Sequence, residues 1–235
     1  MTDNESPEEE LPTDQLPPEE TDEGPGWMPA IMAGTVLMGM LCFIACGFST
    51  WLLFQNRTAL AIRTCEAYVS NLEQSLLEPN SKAAVIDLVE TLSKDMQRGK
   101  YENWQSAGIM QRLQRLPVLQ WGELQAVQAA VEKMGGDQQE ERLKQITRLQ
   151  RSVELGKVTS FDFEEVLKPV REQDPGNEMG HRLVDPISAE KTKEMLVRAK
   201  RTADRASVAD KSFPAIQIEA IVRREIEKGA SEGSY

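Results

Sequence analysis

From Trp27 to Phe54 the chain carries no charged side chain, and after that run apolar and polar positions alternate at helical spacing. Those 28 residues reach roughly 42 Å at helical rise, against about 30 Å for the hydrocarbon core of a bilayer. The pattern predicts a transmembrane helix over 27–54. Trp27 and Trp51 stand 24 residues apart, roughly 36 Å along such a helix, which sets one indole near each headgroup boundary as a membrane belt. Pro29 falls in the first turn, where its missing N–H breaks no hydrogen bond. Ala30 and Gly34 form a small-xxx-small step and are the candidate helix–helix contact.

Beyond the span, Ala61, Cys65, Tyr68, Leu72 and Leu76 recur at steps of 4, 3, 4 and 4, opposite Arg63, Glu66 and Glu73. This predicts an amphipathic stalk helix over 55–78. Its apolar face needs a cover, and with fewer than three clean heptads that cover is expected from the same chain. Pro79 breaks the pattern, and a helical bundle is expected over 79–169, starting from a cap at Asn80 or Ser81. Its rows are Val85, Leu88, Val89, Leu92 and Met96, then Ile109, Leu113 and Leu116 before Pro117, then Leu124, Val127, Val131 and Met134. A further row, Leu143, Ile146, Leu149 and Val153, opens at Asp137 with Glu140 reaching back. A short helix follows, capped at Ser160. Trp104, Trp121, Phe161 and Phe163 are the expected large packers.

Periodicity fails over 170–187, which collects Pro175, Gly176, Gly180 and Pro186 and reads as a loop. C-terminal helices and a short tail occupy 188–235, with Ile218, Val222 and Ile226 in one row, and these helices are expected to dock loosely. No stretch of β-branched and aromatic residues alternates as a strand would. The fold class is therefore all-α: a single transmembrane helix, a helical stalk and a helical-bundle soluble domain.

Charge adds a tail to this picture. Residues 1–26 hold ten carboxylates, five prolines and no Lys or Arg, so the net charge of -11 is almost entirely theirs. Such a segment cannot bury enough apolar area to offset the entropy of ordering, and it reads as a disordered acidic Pro-rich tail. The remaining 28 acids face 27 bases, which gives no whole-domain attraction for nucleic acid. An acidic leader before so long an apolar run also argues against a cleaved signal peptide. Arg57 and Arg63 follow the span and no cation precedes it. As topology determinants they predict N-terminus outside and C-terminal domain cytoplasmic, in a plasma (inner) membrane. Cys42 and Cys46 lie inside the span and Cys65 is the one thiol beyond it, so no intradomain disulfide framework can be drawn.

The motifs of chemistry are sparse. One histidine and no Cys pair outside the span give no metal-ligand spacing, and no glycine-rich phosphate loop or dinucleotide fingerprint occurs. Neither a metal nor a cofactor is expected, and a small-molecule substrate is disfavoured. His181, in the 170–187 loop, is the sole candidate for a cryptic hydrolase, without a nucleophile elbow beside it. Lys191, Lys193, Arg198, Lys200, Arg201 and Arg205 are a candidate anionic-surface contact, for lipid headgroups or nucleic acid, interleaved with Glu190, Glu194 and Asp204. "WQSAG" from Trp104 resembles the opening of a tetratricopeptide unit, but a shift of one such period meets Gln138, Glu141 and Arg142 instead of a second copy. These features together predict a membrane-anchored interaction, scaffolding or accessory-complex subunit without catalytic activity. Its partners would be the lipid bilayer and a protein, either another chain or a second copy.

Overall fold

The computed structural model describes residues 26–55, 57–177 and 180–234; the acidic tail, apart from Gly26, lies outside them. The chain divides into two units, one ending at Thr50 and one running from Trp51 to Tyr235. Helix α1 spans Trp27–Gln55 and is long and apolar enough to cross a membrane. From Trp27 to Leu52 none of its side chains is buried. Its two threonine hydroxyls are satisfied locally: Thr35 Oγ1 donates to the Met32 carbonyl at 2.9 Å and Thr50 Oγ1 to the Cys46 carbonyl at 2.7 Å. Without such back-bonding, each would be an unpaired polar group on an apolar helix.

The second unit is almost wholly helical: α2 (Arg57–Gln74), α3 (Pro79–Gln97), α4 (Asn103–Arg115), α5 (Val118–Met134), α6 (Gln139–Glu154) and α7 (Ser160–Leu167) follow in turn. A 3-10 turn at Lys168–Val170 leads into strands β1 (Arg171–Gln173) and β2 (His181–Leu183), and α8 (Ala189–Arg205) and α9 (Ile218–Glu232) end the domain. Helix α2 packs on α3 and α4, while α6 packs on α8 and α5, and α7 on α8 and α5. The last helix returns across α4 and α3, so the C-terminal segment closes the half of the bundle that the chain builds first. The core is continuous through both halves, with Val85, Val89, Ile109, Leu124, Ile146, Leu149, Met195 and Val222 all fully buried. Each such side chain stabilises the fold by roughly 1.5–3 kcal/mol relative to exposure.

The face of Ala61, Cys65 and Leu72 is buried against α3 and α4, so α2 belongs to the bundle. The helix ends at Gln74, which shifts the count by one: Leu77 is buried and Leu76 is half exposed. Lys82 closes that end by donating to the Ser75 carbonyl at 2.7 Å and the Glu73 carbonyl at 3.0 Å, a cation on orphan carbonyls. Gly122 of α5 meets this turn so closely that a Cβ there would stand 2.3 Å from Leu76 and Leu77 backbone atoms. Pro79 opens α3 as its first residue, with Glu78 rather than Asn80 or Ser81 at the cap. At α6 the cap is Gln138 rather than Asp137. At α7 it is Thr159, which shares a capping box with Asp162, rather than Ser160.

Other expectations need correction. Residues 170–187 contain a two-stranded antiparallel hairpin, paired Arg171↔Leu183, Glu172↔Arg182 and Gln173↔His181. Three-residue strands are too short to display a period of two. The turn is instead set by Asp174, whose carboxylate accepts from the Gly176 N–H at 3.1 Å, and by Gly180 at φ +70. Of the four aromatic packers, Trp121 and Phe163 are buried and stacked, ring centroids 6.1 Å apart. Trp104 and Phe161 are instead 46% and 71% exposed. The C-terminal helices are docked firmly, α8 against α6 and α7 and α9 against α4 and α3.

Candidate functional site

Each of three buried charges is held by opposite charge from a second element. Arg112 of α4 is almost fully buried and lies on the row of Ile109 and Leu113. Its Nη1 donates to Glu225 Oε2 of α9 at 3.2 Å, its Nη2 to Glu232 Oε2 at 3.0 Å and its Nε to the Gly233 carbonyl at 2.8 Å. Glu225 also receives Arg224 at 3.1 Å. Burial works most strongly against its charged form, but the hydrogen bonds from Arg112 and Arg224 and the charges of Lys228 and Arg224 together hold the carboxyl below the usual glutamate range. Glycines make this crossing close. A Cβ on Gly108 would meet Gly233 backbone at 2.4 Å, and one on Gly229 would meet Ile109 Cα at 2.5 Å.

Arg148 of α6 is the second pin. Its guanidinium donates to Asp204 Oδ1 at 2.6 Å, to the Val208 and Ala209 carbonyls at 2.7 and 3.0 Å, and to Gln145 Oε1 at 2.8 Å. It thereby caps the C-terminal end of α8 and the turn beyond it, where Ser207 adopts φ +56. The third pin is Glu123 of α5, which is 3% exposed. Arg171 of β1 donates to its Oε2 from Nη2 and, at 3.1 Å, from Nε. His181 of β2 places Nε2 at 3.3 Å from Oε1, without the alignment of a hydrogen bond. The hairpin is thus fastened to α5 through a carboxylate that would otherwise be a lone buried charge. A hydrolytic histidine needs its carboxylate on one ring nitrogen and the nucleophile on the other. Here the carboxylate stands at Nε2 and already serves an arginine.

The six basic residues of α8 do not form one surface. Arg198 donates to the Glu165 carbonyl at 2.9 Å and to Glu194 Oε1 at 2.7 Å, and Arg205 to Asp162 Oδ1 at 2.6 Å, so both turn toward α7. Lys193 and Lys200 line a groove of about 570 Å³ with Glu141, Arg142, Leu196 and Val197, between α6 and α8. Lys191 is half-buried and Arg201 exposed. On α1, Trp27 and Trp51 are exposed, and the space a Cβ would take at Gly34 is open to 4 Å, beside an exposed Ala30. Arg57 stands at a cleft of about 710 Å³ with Thr58, Tyr101, Glu102 and Trp104, and Arg63 is exposed on α2.

Among the described residues, no three His, Cys, Asp or Glu side chains stand together as a metal site. Cys65 Sγ lies 3.5 Å from Met110 Sδ, and burial, helped by Glu66, pushes its thiol up to about 11. Burial likewise raises the Tyr68 phenol, whose hydroxyl has no hydrogen-bond partner among the described residues. Sequence reasoning passed over Arg112, Glu123, Arg148 and Glu225. The available signal was a charge inside an apolar row: Arg112 between Ile109 and Leu113, Arg148 beside Leu149, and Glu225 seven after Ile218.

The arrangement defines a class: a mostly helical protein in which one helix fit to cross a membrane precedes a domain knit by buried ion pairs. Compared with known proteins, the chain matches no family model, no curated protein and no solved structure.

Proposed function

We propose that this is a single-pass membrane protein whose helical domain serves as an interaction, scaffolding or accessory-complex subunit. The observation that carries the reading is continuity: α1, apolar and unburied over 26 residues, leads through a single residue into a domain whose buried charges hold its helices and hairpin together. Such a domain offers surfaces, and the anchor raises their effective concentration at the bilayer. Arg57 and Arg63 after the span, with no cation before it, favour an N-terminus outside and a cytoplasmic domain, in a plasma or inner membrane.

The test is purification of the full chain through a C-terminal tag in mild detergent. A stoichiometric protein partner or a defined homo-oligomer is the expected result, and repeated recovery as a lone monomer would overturn the proposal. Orientation is tested separately by protease protection of the tag in intact cells, where cleavage before permeabilisation would reverse it.

A further inference from the structure

We propose that the α3–α4 turn, Arg98 to Trp104, is a second membrane contact that rests on the headgroups of an anionic phospholipid bilayer. The inference builds on the anchoring reading above. Thr58 follows Leu52, the last residue of the apolar run, by six positions. The chain therefore keeps it within roughly 20 Å of that residue, whatever angle the domain takes.

Thr58 is fastened to the turn. Its hydroxyl donates to Asn103 Oδ1 at 2.8 Å, and its backbone N–H donates to the same oxygen at 3.4 Å. The residues so tethered are the types that headgroup regions accommodate: Arg98, Lys100, Tyr101 and Trp104, with Arg57 across the cleft. Trp104 is 46% exposed although Trp121 in the same domain is 1% exposed, and its Nε1 donates to Glu102 Oε2 at 2.6 Å. Its polar edge is thus held by Glu102 and its Cε3–Cζ3 edge lies near Gly233, while about half of the side chain stays open to the surroundings. Lys100 pairs with Asp95 at 2.6 Å yet remains 59% exposed, and lies 5.7 Å from the Tyr101 ring centroid. Gly99, at φ +73 with open space around it, forms the tip. Arg98 and Lys100 at the turn and Arg57 at the adjoining cleft supply its cations, alongside the carboxylates of Asp95 and Glu102. An anionic leaflet attracts such a surface, and an amphipathic indole adds contact at the same depth.

The experiment uses the full chain with Trp27→Phe and Trp51→Phe, reconstituted in vesicles of phosphatidylcholine with or without phosphatidylserine and a nitroxide-headgroup lipid. Trp104 and Trp121 then report. A reference chain also carries Trp104→Phe, and a second reference adds Phe161→Trp. Phe161 neighbours Ser160, whose hydroxyl donates to the Gln114 carbonyl at 3.1 Å. Position 161 thus marks the other end of α4, roughly 17 Å from Asn103.

Quenching of Trp104 should exceed that of Trp121 and of an indole at 161 several-fold in phosphatidylserine vesicles. It should fall toward those references with Arg98→Glu and Lys100→Glu, or without the anionic lipid. Equal quenching at 104 and 161 in chains that float with the vesicles would overturn the membrane contact and leave the anchor intact. Failure to float would instead overturn the anchoring reading. Shielding of Trp104 by a co-purified protein, with no lipid quenching, would assign the turn to a protein interface and also overturn the proposal.

Discussion

Replacing Arg112 with Met removes the guanidinium that joins α4 to α9 and leaves Glu225, 2% exposed, inside the domain. Breaking a buried pair from one side typically costs about 3–5 kcal/mol, because the remaining charge stays desolvated. Arg224 at 3.1 Å and Lys228 at 3.8 Å still compensate part of the carboxylate, which places the expected loss near the low end, about 3 kcal/mol. The double variant Arg112→Met, Glu225→Met removes both charges and fills the space with apolar atoms, so it should lie within about 1 kcal/mol of the parent. Hydrogen exchange of the full chain in detergent reads this directly. A local loss of about 3 kcal/mol raises exchange of α9 amides on the order of 100-fold. The double variant should recover most of that protection. Less than about a tenfold rise in the single variant, or a double variant as unprotected as the single, would refute the assignment of Arg112 and Glu225 as the closure of the domain.

Acid should loosen the same helix. The folded Glu225 carboxyl lies below its ordinary value of 4.5, so its contribution is full above that value and is lost as pH falls through the lowered one. Urea midpoints measured from pH 6 to pH 3 should decline less steeply for Glu225→Gln than for the parent. The Cys65 thiol titrates the other way. Burial disfavours its thiolate, so with a folded value near 11 against an ordinary 9.0 the group is neutral in both states below pH 9, and the fold loses about 2–3 kcal/mol as pH rises from 9 to 11. Maleimide should accordingly leave Cys65 unmodified at pH 7.5 until urea unfolds the domain, as mass spectrometry would show. Gly122→Ala should destabilise the domain by about 3 kcal/mol because its Cβ meets backbone at 2.3 Å. Gly99→Ala, strained by its φ but in open space, should lose only about 1 kcal/mol, and thermal melts compare the two.

How legible this protein is from its sequence depends on the length scale of the signal. A 28-residue uncharged run and rows such as Val85, Val89, Leu92 and Met96 repeat over several turns, so periodicity alone places α1 and the principal helices of the bundle. Caps depend on one residue and shift by one to three positions, as at Glu78, Gln138 and Thr159. The hairpin holds only three residues per strand and depends on a remote carboxylate, Glu123, that no local pattern announces. Glycine is equally silent: nothing in the sequence around Gly108, Gly122 or Gly229 marks a close approach, and only the neighbouring backbone reveals why a side chain is excluded there. The acidic tail read from charge lies outside the described residues apart from Gly26.

The return of α9 onto α4 has a consequence for biosynthesis. Arg115 ends α4 and Ile218 begins α9, so 103 residue positions separate the two partners along the chain. At ribosomal speeds of about 5–20 residues per second, roughly 5–20 s pass between synthesis of Arg112 and synthesis of the carboxylate that will neutralise it. During that interval Ile109 lacks the Gly229 backbone and Arg112 the carboxylates that meet them in the finished domain. The domain cannot finish as it is made; its first half waits for its last helix.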